Sequence, residues 1–131
     1  MTNVKIQMTK ECQKPKTPKY DLEERTSKFG ENIIEFAKTI PKNETTRPLI
    51  SQIVRSGTSV GANYMEADVA ESKKDFRYRI SICKREAKET CHWLRMISKA
   101  IPNCEEDARK LWKEGRELVL IFFSINNKTK K

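Results

Sequence analysis

QIVRSGTSVGANYMEADVAESKKDF, residues Gln52–Phe76, carries two stripes at helical spacing where an ordinary surface helix carries one. Ile50, Ile53, Val54, Gly57, Val60, Gly61, Tyr64 and Ala67 recur every three or four positions, the mark of a face that packs on a core. Gln52, Ser56, Ser59, Asn63 and Glu66 recur at the same spacing on the other side. That second stripe is small and hydrogen-bonding, whereas solvated helix faces are usually filled with Lys, Glu and Arg. It is expected to touch something: a partner helix, a neighbouring subunit or a ligand.

Outward from this segment the same period continues. Asp21 with Glu24 has the form of a capping box and opens a helix whose seam is Leu22, Thr26, Phe29, Ile33, Phe36 and Ile40, stopped by Pro41. Thr46 is the expected N-cap of the second helix, with Pro48 tolerated in its first turn. Ser72 and Asp75 cap a third, with the seam Phe76, Ile80, Cys83, Ala87, Thr90, Leu94, Ile97 and Ile101. Asn103 and Glu106 open a fourth, where Ala108, Leu111, Gly115, Leu118, Phe122 and Ile125 form a seam widened by Trp112 and Val119. The expected helices span about 21–40, 47–70, 73–101 and 104–126. Short connections make neighbours antiparallel, so the fold expected is all-α, an antiparallel up-down-up-down four-helix bundle in one domain, residues 21–126. Gly57, Gly61 and Gly115 lie on the seams, where they allow close backbone approach.

The net charge of +9 is unevenly spread over the 131 residues. Residues 1–20 hold five lysines against Glu11, and residues 127–131 hold Lys128, Lys130 and Lys131. Both read as disordered basic tails, the first broken by Pro15 and Pro18. Within the body, Lys73–Lys99 stands apart: Lys73, Lys74, Arg77, Arg79, Lys84, Arg85, Lys88, Arg95 and Lys99 face only Asp75, Glu86 and Glu89. Lys74, Arg77, Lys84, Arg85, Lys88, Arg95 and Lys99 fall on the side away from the apolar seam. Such a ribbon, about 40 Å long at 1.5 Å per residue, can follow a phosphate backbone with salt-dependent, weakly sequence-selective affinity. Tyr78 is the one aromatic on it for stacking a base. The bland alternative is a solvated lysine face.

Catalysis and metal binding find little material. His92 is the only histidine, with no Ser or Asp placed to form a triad. Cys91 and His92 are adjacent, hence about 100° apart on a helix, and cannot share a tetrahedral site. No Glu-x-x-His pair of the di-iron bundles occurs, and GTSVGAN lacks the phosphate-loop form. No enzyme, cofactor, metal or catalytic residue is expected. Cys12, Cys83, Cys91 and Cys104 show no paired spacing and read as reduced thiols. The longest apolar run, Leu118–Phe123, is far short of a membrane span, and no secretory signal is seen, so a cytoplasmic protein is expected. Arg55 is expected to reach Glu86 or Glu89 and to join the Ser56, Ser59, Asn63 and Glu66 stripe in a register-setting network or a subunit contact.

These residues resemble the four-helix bundle family encoded by intervening sequences in bacterial 23S ribosomal RNA genes. The most specific part is RSxxSVxANxxEA, here Arg55, Ser56, Ser59, Val60, Ala62, Asn63, Glu66 and Ala67, continued by Ser72, Lys73, Phe76, Glu86, Glu89, Trp93 and Leu94. The similarity spans about residues 21–125 and leaves out the lysine-rich first 20. It implies a ring-like homo-oligomer, a pentamer. It also implies kinship with the accessory protein of diversity-generating retroelements, which binds reverse transcriptase and nucleic acid through a basic surface. The function expected is a non-enzymatic oligomeric bundle that binds RNA or DNA through the third helix, as an accessory to a reverse transcriptase or to ribosomal RNA. The alternative is a protein–protein assembly scaffold.

Overall fold

Three of the four helices start where a short polar side chain takes up free N–H groups, and the fourth follows a 3-10 turn. The computed structural model describes residues 21–129; the expected tail at 1–20 and the end of the other, 130–131, lie outside them, while Asn127 and Lys128, expected in the C-terminal tail, belong to the last helix. In α1, Leu22–Thr39, the Asp21 carboxylate accepts from the Glu24 N–H at 3.3 Å. In α3, Lys73–Ala100, Ser72 Oγ accepts from the Asp75 N–H at 3.0 Å. The other two starts depart from the sequence expectation. Ahead of α2, Thr46–Asp68, it is Asn43 that caps, its Oδ1 accepting from the N–H groups of Thr45 and Thr46 at 2.8 and 2.9 Å. Thr46 instead clasps the loop: its buried hydroxyl donates to the Pro41 carbonyl at 2.6 Å and accepts from the Asn43 N–H at 2.9 Å. Before α4, Glu105–Lys128, a 3-10 turn at Pro102–Cys104 takes the place of an Asn103 cap, and Cys104 at the N-cap makes no side-chain bond. Glu105, Glu106 and Asp107 in the first turn still complement the helix dipole.

The stops of α1 and α3 follow from the prolines beyond them, Pro41 and Pro102. Ile40 is extended at φ −84°, ψ 125° because the Pro41 ring disfavours helical geometry in the residue before it. Short loops then fold the helices back on one another, giving an all-α four-helix bundle in which α1 packs on α2, α2 on α3 and α3 on α4. α4 meets α1 over a narrower contact that closes the bundle. Among the described residues there is no strand. Phe29, Ile33, Ile53, Val60, Ile80, Leu94, Ile97, Leu118 and Phe122 fill the centre, all essentially inaccessible. Trp112 does not widen the α4 seam; it is 42% exposed, turned outward.

Two glycines set helix separations. A Cβ at Gly57 would stand 2.8–3.0 Å from Cγ2, Cγ1 and Cβ of Ile33, and one at Gly115 would stand 2.8 Å from Cys91 Sγ. The first lets α1 and α2 meet closely; the second seats α4 against α3. At the α1–α4 opening, Arg25 Nε donates to Glu114 at 2.7 Å and Nη2 donates to Glu114 at 2.9 Å and to Glu117. These bonds, Glu114 foremost, raise the Arg25 pKa and keep the guanidinium charged.

The buried thiols are structural. Burial pushes Cys83 up to about 12 and Cys91 up to about 11, from an ordinary 9.0, so both are protonated near neutrality and neither is a nucleophile or a ready metal ligand. This has a linkage consequence. Above pH 9 the unfolded chain ionises these thiols while the folded chain holds their protons, so unfolding releases protons. Stability complete below pH 9 is lost as the pH rises through about 11 for Cys91 and about 12 for Cys83, at up to about 1.4 kcal/mol per pH unit for each thiol. Urea unfolding of wild type beside Cys83→Ala between pH 9 and pH 11 should show a shallower decline in the variant. Identical slopes would remove the thiol from the account.

Candidate nucleic-acid interface

The polar stripe of α2 turns toward α3, and most of its partners lie within the chain. Arg55 is the hub: it donates to Gln52 at 3.0 Å, to Glu86 at 3.2 Å and to Glu89. The Trp93 indole N–H donates to Glu89 at 2.9 Å. A second group forms one turn on. Asn63 Nδ2 lies 2.9 Å from both the Ser59 carbonyl and Ser59 Oγ, and Arg79 donates to Asn63 Oδ1 at 3.1 Å. Ser56 belongs to neither: it is fully buried, with Thr90 Oγ1 2.8 Å from its hydroxyl. Glu66 is exposed and makes no hydrogen bond or ion pair among the described residues. The single ladder expected from the sequence is therefore two separate α2–α3 clasps plus one core hydroxyl. All are hydrogen-bonded.

The basic face of α3 is laid out differently. Lys74, Arg85, Lys88, Arg95 and Lys99 are exposed and have no ion pair among the described residues, whereas Arg25, Arg55 and Arg109 are paired. Two of the expected seven are less free. Arg77 is half-buried, with its Nε enclosed and unbonded, and its carbonyl accepts from Asn126 Nδ2 at 3.1 Å. Lys84 is also half-buried, its Nζ 5.4 Å from the centre of the Phe123 ring.

That contact shows what the sequence reading missed: the face does not end at α3. Two open grooves run along the α3–α4 seam. One, of about 580 Å³, is lined by Lys84, Arg85 and Lys88 of α3 with Leu120 and Phe123 of α4. The other, of about 370 Å³, is lined by Arg95 of α3 with Arg109, Trp112 and Lys113 of α4. Arg116 sits over the Trp112 ring at 5.5 Å, and Glu105, bonded to Arg109 at 3.1 Å, is the acidic group in the lining. Tyr78, 58% exposed, carries Arg79 at 5.8 Å but lies apart from both grooves. The sequence did hold a signal. Arg109, Trp112, Lys113, Arg116, Leu120 and Phe123 recur at three- and four-residue spacing, a second stripe on α4.

No group of His, Cys, Asp and Glu among the described residues could hold a metal ion, and no helix there is long and apolar enough to cross a membrane. The sequence pattern of the 23S rRNA-intervening sequence proteins matches residues 19–124, nearly the whole bundle. The chain belongs to that family. Among solved structures, the 23S rRNA-intervening sequence fold of this chain is similar to that of a protein of unknown function from the S23 ribosomal protein family of Bacteroides thetaiotaomicron. The two share 29% identity and a TM-score of 0.73 over 79% of this chain and 96% of that one. No curated protein matches this 23S rRNA-intervening sequence protein.

Proposed function

We propose that this chain is a non-enzymatic bundle that binds RNA or DNA through the basic side of α3, acting in the cytoplasm as a homo-oligomer. The observation that carries the reading is the set of exposed, unpaired cations Lys74, Arg85, Lys88, Arg95 and Lys99 on one helix face. Outside this face, Arg25 and Arg55 are each paired with carboxylates across helices. Leaving a run of cations without counter-charge costs self-repulsion unless an anion takes them up. Family kinship supports ribosomal RNA or a reverse transcriptase complex as the context, and a pentameric ring as the assembly.

A structured RNA titrated by fluorescence anisotropy tests this. If about five phosphates are neutralised, affinity should fall by roughly a hundredfold or more between 50 and 200 mM salt. Absence of binding at low salt, or binding indifferent to salt, overturns it.

A scaffold reading has one observation in its favour. Met65 on α2 and Val69 at its C-cap are 55% and 71% exposed, apolar side chains left largely open to solvent. Light scattering of Met65→Lys/Val69→Lys separates the readings. Loss of oligomer with helicity and RNA affinity retained makes this face a subunit contact independent of nucleic acid.

A further inference from the structure

We propose that the α3–α4 face binds single-stranded nucleic acid, with unpaired bases stacking on Trp112 and Phe123 while the flanking cations hold the phosphates. This rests on the nucleic-acid reading above and narrows it to one strand state. The rings are the deciding feature. A bundle that buries Phe29 and Phe122 fully leaves Trp112 and Phe123 42% and 51% exposed on the same helix face. Each has a cation at its ring, Arg116 at 5.5 Å from Trp112 and Lys84 at 5.4 Å from Phe123. A cation over an aromatic ring beside an open groove suits a base that brings its own phosphate.

The spacing agrees. Trp112 and Phe123 are eleven residues apart on α4, as are Lys84 and Arg95 on antiparallel α3. Eleven residues rise about 16 Å along a helix, close to five nucleotides at the stacked repeat of about 3.4 Å per strand. Each ring thus has its own phosphate binders: Lys84, Arg85 and Lys88 beside Phe123, and Arg95 and Lys113 beside Trp112. A duplex meets the same cations but keeps its bases stacked on one another, out of reach of either ring. Every base has a π-face, so the preference should be for strand state rather than sequence.

Oligo(dT) and a duplex of equal length are to be titrated against the full chain at one salt concentration. The single strand should bind at least about tenfold tighter. Trp112→Ala and Phe123→Ala should each weaken oligo(dT) roughly ten- to a hundredfold and leave duplex affinity and helicity unchanged. Trp112→Phe and Phe123→Tyr should restore most of the loss. In a Trp93→Phe background, oligo(dT) should quench the remaining Trp112 emission. Equal affinity for both strand states, or alanine variants that bind like wild type, overturns the stacking site and leaves the nucleic-acid reading intact. No binding of either probe removes both. A Trp112→Ala variant that loses oligomeric mass while keeping its oligo(dT) affinity reassigns the face to a second copy of the chain.

Discussion

Gly57→Val should destabilise the bundle by about 3 kcal/mol, the upper end of what overpacking a core costs, a large share of the roughly 5–15 kcal/mol that holds a domain folded. The ideal Cβ alone would lie 2.8 Å from Ile33 Cγ2 and 2.9 Å from Cγ1, contacts that real Cβ atoms do not tolerate. Ile33 cannot swing aside. It is fully buried, and a β-branched side chain in a helix has one strongly preferred χ1 rotamer. α1 and α2 must therefore move apart, and Gly30, whose own Cβ position lies 3.4 Å from Thr58 Cα, loses its close approach with them. The loss should far exceed the roughly 1 kcal/mol of helix propensity that replacing a glycine recovers at best. Ile33→Ala alone should cost about 2–5 kcal/mol through the cavity it leaves. Combined with Gly57→Val it should cost less than the sum, because the valine fills part of the space that the isoleucine vacates. Urea unfolding followed by far-UV circular dichroism reads all three variants. Simple additivity, or a Gly57→Val protein as stable as wild type, would falsify the close-approach account.

The seams that meet at Gly57 were legible in the sequence because they depend on period alone. Leu22, Thr26, Phe29, Ile33, Phe36 and Ile40 needed only their spacing, and every one is buried. Asp21 and Ser72 were legible for a similar reason: a cap bonds three residues along its own chain. Asn43 was not, since two threonines of equal promise follow it and the loop geometry chooses between them. The polar stripe failed in a more instructive way. Ser56 and Glu66 are ten residues apart, which at about 100° per residue puts them about 80° apart around α2. Three- and four-residue steps hide that drift. Ser56 consequently lands in the core, hydroxyl to hydroxyl with Thr90 of α3, Glu66 lands in solvent, and between them Asn63, bonded to Ser59 within α2, meets Arg79 of α3. Trp112 shows the converse. Its spacing from Ala108 fits the seam, but the seam is already filled by Ala108, Leu111 and Gly115, and the indole is left to the groove. The reach of the basic face across α4 could not be read from α3, because it exists only once the two helices are antiparallel neighbours.

Reversing three charges on that face, Arg85→Glu/Lys88→Glu/Arg95→Glu, should weaken nucleic-acid binding at least a hundredfold at about 50 mM salt and leave the bundle folded. The side chains are exposed and make no ion pair among the described residues, so folding should change by less than about 0.5 kcal/mol at each position. Arg77 and Lys84 are poorer choices: the first is partly enclosed near Asn126, and the second packs on Phe123. If each of the three residues neutralises one phosphate, the slope of log affinity against log salt should become shallower by about 0.7–0.9 per residue, or two to three in all. A total-charge effect would look similar at a single salt concentration, so the comparison is decided by a matched control. Lys38→Glu/Lys42→Glu/Arg47→Glu makes the same change in net charge at exposed positions in α1, its following loop and the first turn of α2. Diffuse attraction between a basic protein and a polyanion predicts the same loss for both triples. A phosphate track along α3 predicts a large loss and a shallower slope for the first, and for the second only the small loss that long-range charge gives at low salt, fading as salt is raised. Equal losses at every salt concentration would move the binding off α3 and onto the charge of the whole chain.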